Sequence, residues 1–371
     1  MAPFLGGDMI TDGKLYALVM AGGSGTRFWP ESTKLKPKQY LNFWSQDSLL
    51  KETLLRFGEL IAPAQRYIVT VQDQEELAKK HSEGLINQDG LIFEPMARNT
   101  APCIFLSLVK LLAAGASKED VVAIVPADHA IRDHEGFQKT LYKAVTAAQA
   151  FQKMVAIAIP PRSPHTGYGY IHRGPEIFGS QCVYEVEEFK EKPDLETAKA
   201  YMESGEFFWN AGMFVAPIGI LLDEIAKLAP DISLLEFELR LGLGDAVALA
   251  KTYAKLPSIS IDYAIMEKTT ELLVVPSEFD WNDLGSWDAL EEVLPKTNGN
   301  VFAASSGHTY IDGAEGNIVY APGKFVTLLG VKDLVIISNK TSLVVMPKKD
   351  AQKIKEVVDH LKEFYYGKDL L

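Results

Sequence analysis

An abrupt break at the end of the first β-forming run constrains this chain more than any other feature. Residues 15–20, LYALVM, are almost wholly apolar and stop at Ala21-Gly22-Gly23-Ser24-Gly25-Thr26-Arg27. A run of that kind reads as a buried strand. Glycines directly after it reach φ > 0 and leave peptide N–H groups uncovered, which makes a nest for anionic oxygen. Residues 21–40 carry four cations, Arg27, Lys34, Lys36 and Lys38, against one acid, Glu31, while the whole chain has a formal net charge of −12. A basic island in an acidic protein suits polyphosphate. The glycines fit neither the Walker spacing, since Lys38 comes far too late, nor the dinucleotide fingerprint Gly-x-Gly-x-x-Gly.

Beyond this turn the hydrophobic period alternates between helix and strand. It predicts helices at 48–61, 74–82, 101–114 and 134–151, and strands at 67–71, 91–94, 121–125 and 154–159. Such alternation makes an α/β layer with a mainly parallel sheet and helices on both faces, whose ligands sit at the carboxyl ends of strands. A strand-rich stretch follows at 169–189, then helices at 195–204, 218–229, 246–253, 262–269 and 286–294, with strands at 214–215 and 272–275. After a linker at 295–300, short β-rich bursts recur at 318–320, 325–329, 334–337 and 343–346, in steps of eight or nine residues. Even spacing of that kind predicts a small β-solenoid, closed by an amphipathic helix at 351–366. The expected division is a flexible leader at 1–14, an α/β domain at 15–298 and the solenoid at 299–371.

Composition narrows the function classes. The 371 residues are 47% hydrophobic and 23% charged, values that support a substantial core. The acidic balance argues against nucleic acid or an anionic membrane as partner. Two cysteines, Cys103 and Cys182, have no partner motif, so a reducing, cytoplasmic setting is expected. No apolar run approaches the roughly 20 residues of a membrane span.

Chemistry-bearing residues cluster just after the expected strands. Glu94-Pro95-Met96-Ala97-Arg98-Asn99-Thr100 opens the apolar helix, where Asn99 or Thr100 suits an N-cap. Pro126-Ala127-Asp128-His129 sets a carboxylate at a strand end, and Asp280-Trp281-Asn282-Asp283 offers two further acids. His129 reads as structural, because neither cysteine nor a spaced histidine supports a transition-metal site. Gly167-Tyr168-Gly169 forms a second glycine loop, followed by Glu191-Lys192-Pro193 and Trp209-Asn210-Ala211-Gly212.

In this order, G-G-S-G-T-R-F-W-P, K-P-K-Q, E-P-x-x-R-N-T-A-P, E-K-P and W-N-A-G resemble the motifs of the sugar-nucleotide pyrophosphorylases, in the mannose-1-phosphate guanylyltransferase branch. The resemblance spans about residues 15–295 and is looser beyond 300. It implies a Rossmann-like, GT-A-like nucleotidyltransferase fold with a C-terminal left-handed β-helix, and a homodimer joined through that end. It implies transfer of GMP from GTP to α-D-mannose 1-phosphate, giving GDP-mannose and pyrophosphate. Ala21, Gly22, Gly23, Ser24, Gly25, Thr26 and Pro126 would then border the nucleotide, with Arg27 and Lys38 on its phosphates. Glu94, Arg98, Asn99 and Thr100 would surround the base, although Arg98 serves equally as a brace for the loop. Gly167, Tyr168, Gly169, Glu191 and Asn210 would hold the hexose and Lys192 its phosphate. Asp128 and Asp283 would share one Mg²⁺, with Asp280 as the rival to Asp283. Two other readings stay open: a sugar-1-phosphate nucleotidyltransferase using UTP, dTTP or ATP with glucose 1-phosphate, and a non-catalytic regulatory subunit that binds GDP-mannose.

Overall fold

In the computed structural model the described residues are 14–23, 25–180, 182–304, 307–364, 367 and 370–371. The expected leader up to residue 13, and Ser24, lie outside them. The apolar run is strand β1 (Leu15–Met20), buried along nearly all its length. It takes parallel partners on both sides, β2 (Arg66–Val71) and β4 (Val121–Pro126), and β3 (Leu91–Glu94) lies parallel beyond β2. Parallel neighbours require crossovers. Helices α1 (Leu49–Leu55), α2 (Glu75–Ser82) and α3 (Thr100–Ala113) supply them, and α4 (His134–Phe151) leads on to β5 (Met154–Ile159).

The chain runs outward from β1 through β2 to β3, then returns to place β4 on the other flank of β1. That reversal is a topological switch point, and the crevice it opens lies at the carboxyl ends of β1 and β4. Met20 is paired with Pro126, so the glycine turn and the Ala127-Asp128 loop leave the sheet side by side.

Antiparallel pairing enters beyond β4. The sheet order is β3-β2-β1-β4-β8-β5-β9-β7-β6, made with β6 (Tyr170–Glu176), β7 (Tyr184–Lys190), β8 (Phe207–Pro217) and β9 (Leu272–Pro276). β8 runs antiparallel to both β4 and β5. Its register against β5 jumps between Ile157 opposite Met213 and Ala158 opposite Asn210, so Ala211 and Gly212 form a bulge, with Gly212 at φ 62°. A bulge re-aims the side chains beside it, and Asn210 leaves the sheet there. One face of the sheet is covered by a cluster containing α3, the other by a cluster containing α1 and α4.

The C-terminal part is a β-helix whose coil is 17 residues long. β11 (Asn300–Ala303), β13 (Ile318–Tyr320) and β15 (Leu334–Ser338) stack in parallel, with Val301 beside Ile318 and Ile318 beside Val335. β12 (Thr309–Asp312) and β14 (Val326–Leu329) form a second parallel face. The steps of eight and nine residues are therefore half-coils. β10 (Lys296–Thr297) pairs antiparallel with β11 inside the expected linker, and β16 (Leu343–Pro347) folds back antiparallel on β15 instead of adding a rung. The coil corners recur at Gly299, Gly316 and Asp333, all at positive φ. Inside, the fully buried Asn317 donates to Asn300 Oδ1 at 2.8 Å and to the Val331 carbonyl at 2.9 Å, and accepts from the Leu334 amide at 3.0 Å.

The two parts share one core. Trp287, fully buried, packs against Phe28 and Tyr320 and donates to the Trp29 carbonyl at 3.0 Å. Trp29 also packs on Ile354 and Leu361 of the terminal helix Ile354–Lys362.

Candidate active site

Three adjoining cavities open at the switch point, and Asp283 borders all of them. The smallest, of 300 Å³, is the phosphate-facing corner, lined by Gly25, Thr26, Arg27, Lys38, Asp128 and Asp283 among others. Gly25 stands at φ 59°, and a Cβ there would lie 2.2 Å from the Lys38 Cβ, so only glycine lets the chain at Lys38 cross the turn so closely. Lys38, only 6% exposed, donates to Asp128 Oδ2 at 2.9 Å and to the Asp283 carbonyl at 2.6 Å. Burial pushes the Asp128 carboxyl up, but the Lys38 ammonium and the neighbouring His129 more than offset it and hold the group below the usual carboxylate range. The exposed Arg27 reaches the Gly285 carbonyl at 3.3 Å.

Gly22 and Gly23 line the main cavity, of 470 Å³. Ala21 is buried: its amide donates to the Val69 carbonyl at 2.8 Å, and its carbonyl accepts from Gln39 at 2.7 Å. Its N–H is already engaged within the sheet. The lining of this cavity includes Glu94 at the end of β3, Arg98, Asn99 and Thr100 in the stretch after it, and Pro126 at the end of β4. Asn99, at φ 67°, caps α3 by accepting from the Thr100 amide at 2.8 Å. Thr100 Oγ1 accepts from the Ile261 amide at 2.8 Å, and Arg98 donates to the Leu256 carbonyl at 2.8 Å, so both side chains brace the loop. Glu94 is buried and accepts from the Tyr253 hydroxyl. Burial raises its carboxyl above the ordinary value, against the Tyr253 and Cys103 hydrogen bonds that lower it.

Gly167, Gly169, Glu191 and Asn210 line the same cavity, Asn210 on β8, four places from β3 in the sheet order. A Cβ on Gly169 would fall 2.4 Å from Glu191 Oε2, so this glycine lets the carboxylate lie against the backbone. Lys192, at φ 49°, lines the neighbouring 650 Å³ cavity and pairs with Glu191 Oε1 at 2.8 Å, a contact that raises its ammonium above the ordinary value. The Tyr168 hydroxyl is engaged by Asp283, donating to its Oδ1 at 2.7 Å, and its ring is stacked on His165 at 3.9 Å.

Asp280 is separate. Its carboxylate accepts from the Arg132 and Asp133 amides at 2.9 and 2.8 Å and borders a different cavity beside Pro160 and Arg162. His129 is held by Trp281, whose Nε1 donates to Nδ1 at 3.1 Å; burial pushes its imidazole down to about 4, so it is neutral near pH 7. Sequence reasoning missed Tyr253 beside Glu94 and Asp262 beside Asn210. Asp262 begins what reads as an ordinary helix but is a π-turn, Asp262–Met266. Turns with i→i+5 bonds concentrate at functional sites, though the five-residue run DYAIM carries no pattern that announces one.

A switch-point crevice bordered by a glycine turn, two cations and two carboxylates fits a nucleotidyltransferase. The family model described as nucleotidyl transferase matches residues 16–299, and one described as MannoseP isomerase/GMP-like beta-helix domain matches residues 308–361. The chain belongs to the nucleotidyl transferase family, in its mannose-1-phosphate guanylyltransferase branch. Mannose-1-phosphate guanylyltransferase of Escherichia coli K12 is 36% identical over 360 residues, 94% of this chain and 74% of that protein. The alginate biosynthesis protein AlgA of Pseudomonas aeruginosa is 36% identical over 357 residues, 93% and 71% of the two chains. A solved structure described as mannose-1-phosphate geranyltransferase from Thermus thermophilus superposes with a TM-score of 0.86 at 34% identity, covering 94% of this chain and 99% of that one.

Proposed function

We propose that the chain transfers GMP from GTP to α-D-mannose 1-phosphate, releasing pyrophosphate and giving GDP-mannose. The observation that carries the reading is one 470 Å³ cavity lined both by Glu94, at the end of β3, and Asn99, and by Glu191 and Asn210, the latter on β8 four places along the sheet order. The phosphate-facing corner with Arg27, Lys38 and Asp128 adjoins it. Guanine offers two kinds of N–H donor, and Glu94 is a carboxylate that accepts such donors. Lys192, now paired with Glu191, turns to the sugar phosphate; Arg27 and Lys38 take charge on the departing pyrophosphate. The attacking phosphate has a second pKa of about 6 and is mostly dianionic at pH 7, so the displacement at the α-phosphorus needs no general base. Positioning and electrostatics carry such a reaction.

The donor set fits Mg²⁺. Asp128 and Asp283 border one cavity, and among the described residues no group of three or more His, Cys, Asp or Glu offers a full cage. Mg²⁺ typically takes one or two carboxylates and leaves its other positions to phosphate and water. Held by these two acids, it would supply charge neutralisation where the two phosphates meet. Lys38 and Tyr168 each hold one oxygen of these carboxylates in place.

Among the described residues no helix is long and apolar enough to cross a membrane. We take residues 15–298 as the catalytic part and 299–371 as the part that joins two copies in the cytoplasm. Exposed Tyr310, Phe325, Leu329, Leu343 and Val345 on the β-helix support that contact, and sedimentation as a monomer at micromolar concentration would refute it. The activity is tested by pyrophosphate release over all pairs of four NTPs with mannose and glucose 1-phosphates. GTP with mannose 1-phosphate is expected to give the highest kcat/KM. A different best pair sinks the substrate assignment, and tight GDP-mannose binding without turnover would favour the regulatory subunit.

A further inference from the structure

We infer that Asp262 contacts the hydroxyls of the bound hexose and, with Glu191, determines which sugar 1-phosphate the enzyme prefers. This rests on the guanylyltransferase reading of the main cavity.

Asp262 lines that cavity beside Glu191 and Asn210. Asn210 is one of the residues that the family resemblance sets against the hexose, yet its side chain is largely committed. Its Oδ1 accepts from the Gly212 amide at 2.9 Å, and its Nδ2 donates to Asp262 Oδ1 at 2.8 Å. The acceptor role at this wall therefore passes to Asp262, whose Oδ1 is fixed by Asn210 while the carboxylate faces the cavity. Its backbone is fixed as well: the amide of the preceding Ile261 donates to Thr100 Oγ1 at 2.8 Å, which ties the π-turn to the start of α3.

Charge supports a neutral polyhydroxyl ligand here. Burial and the neighbouring Glu191 push the Asp262 carboxyl above its ordinary value. Glu191 and Asp262 side by side repel a phosphate, so an uncharged part of the substrate suits this wall. Asp262 is half-buried, and a hexose laid over it would complete its burial; a buried carboxylate is costly unless donors reach it, and a ring of hexose hydroxyls brings several donors and no charge. A hydroxyl lost or inverted opposite Asp262 would leave a buried acceptor unsatisfied, the situation in which polar sites discriminate most strongly.

The test is Asp262→Asn in the full chain, which can keep the acceptor facing Asn210 while replacing the other oxygen with a donor. Pyrophosphate release is measured with GTP against mannose 1-phosphate, glucose 1-phosphate and the monodeoxy mannose 1-phosphates. The inference predicts that KM for mannose 1-phosphate rises about tenfold or more and the mannose-over-glucose preference shrinks about tenfold, with KM for GTP within about twofold, since the lost hydrogen bond is to the sugar alone. It also predicts that at least one deoxy analogue penalised by the wild type is no longer penalised by the variant. An unchanged preference, or equal losses for GTP and sugar phosphate, would overturn it. Should the variant fold poorly, the wild type alone decides: indifference to every deoxy analogue overturns the inference. Absence of turnover by the wild type with any pair overturns the underlying reading, whereas wild-type turnover with an unaltered variant overturns only the role of Asp262.

Discussion

Lys38→Met gives the most informative perturbation, because it should move two measurements in opposite directions. The substitution keeps the aliphatic stem and removes the ammonium, which lies 5.8 Å from the Phe28 ring centre, 2.9 Å from Asp128 and 2.6 Å from the Asp283 carbonyl. Hydrogen bonds from a charged donor contribute about 1.5–3 kcal/mol net. The cavity is open to water, so the lower end applies to what the ligand-free protein loses. In the reaction the same cation faces the pyrophosphate, and its removal should cost about 3–4 kcal/mol of transition-state stabilisation, or 10²–10³ in kcat. Without nucleotide, however, Asp128 loses the counter-ion that competes with a divalent cation. Mn²⁺ used as a spectroscopic substitute should then bind the variant about tenfold more tightly, the equivalent of roughly 1.4 kcal/mol. Electron paramagnetic resonance titration reads the affinity and pyrophosphate release reads the rate. A variant with near-normal turnover, or with unchanged or weaker Mn²⁺ binding, would refute the argument that Lys38 and the ion share Asp128.

Gly25→Ala places a Cβ 2.2 Å from that of Lys38 on a residue at φ 59°; the displaced lysine should lower kcat/KM about 10²-fold, and near-wild-type kinetics would contradict the close crossing. Asn317→Ala leaves the Val331 carbonyl and Leu334 amide without their partner. It should destabilise the β-helix by about 3–5 kcal/mol, read as an earlier urea transition in Trp287 fluorescence; a loss under about 1 kcal/mol would discount the ladder. Glu94 has its carboxyl raised by burial. The folded state therefore keeps a proton that the unfolded chain releases, and this stabilising contribution, full below the unfolded pKa of about 4.3, is lost as pH rises through the folded value. Glu94→Gln should flatten that part of the stability–pH curve, and an unaltered slope would reassign it.

What could be read from sequence was the locally encoded part. β1 and its glycine turn, α4 and β5 declare themselves through short-range pattern, and α3 through an all-round apolar face that only a buried helix can carry. Features made by tertiary pairing were hidden. Only 214–215 of β8 reads as strand, because the Asn210-Ala211-Gly212 bulge interrupts the pattern that pairing to β5 restores. Asp262 sits at the head of an apolar run that reads as a helix, and nothing local shows that Asn210, 52 residues earlier, meets it. The β-helix was legible as a spacing of eight and nine, yet the two-faced coil follows from Asn300 and Asn317 lying 17 residues apart and stacking inside. Asp280 and Asp283 differ by one loop turn. Their separation into different cavities depends on Arg132 and Asp133, which hold Asp280 away.

The arrangement of base, metal and sugar in one crevice is tested most directly by a crystal structure of the chain with GDP-mannose and Mg²⁺. The account predicts guanine against Glu94 and Asn99, the hexose against Glu191 and Asp262, and the ion held by Asp128 and Asp283. A nucleotide lying the other way round, or an ion bound without either of those two acids, would contradict it.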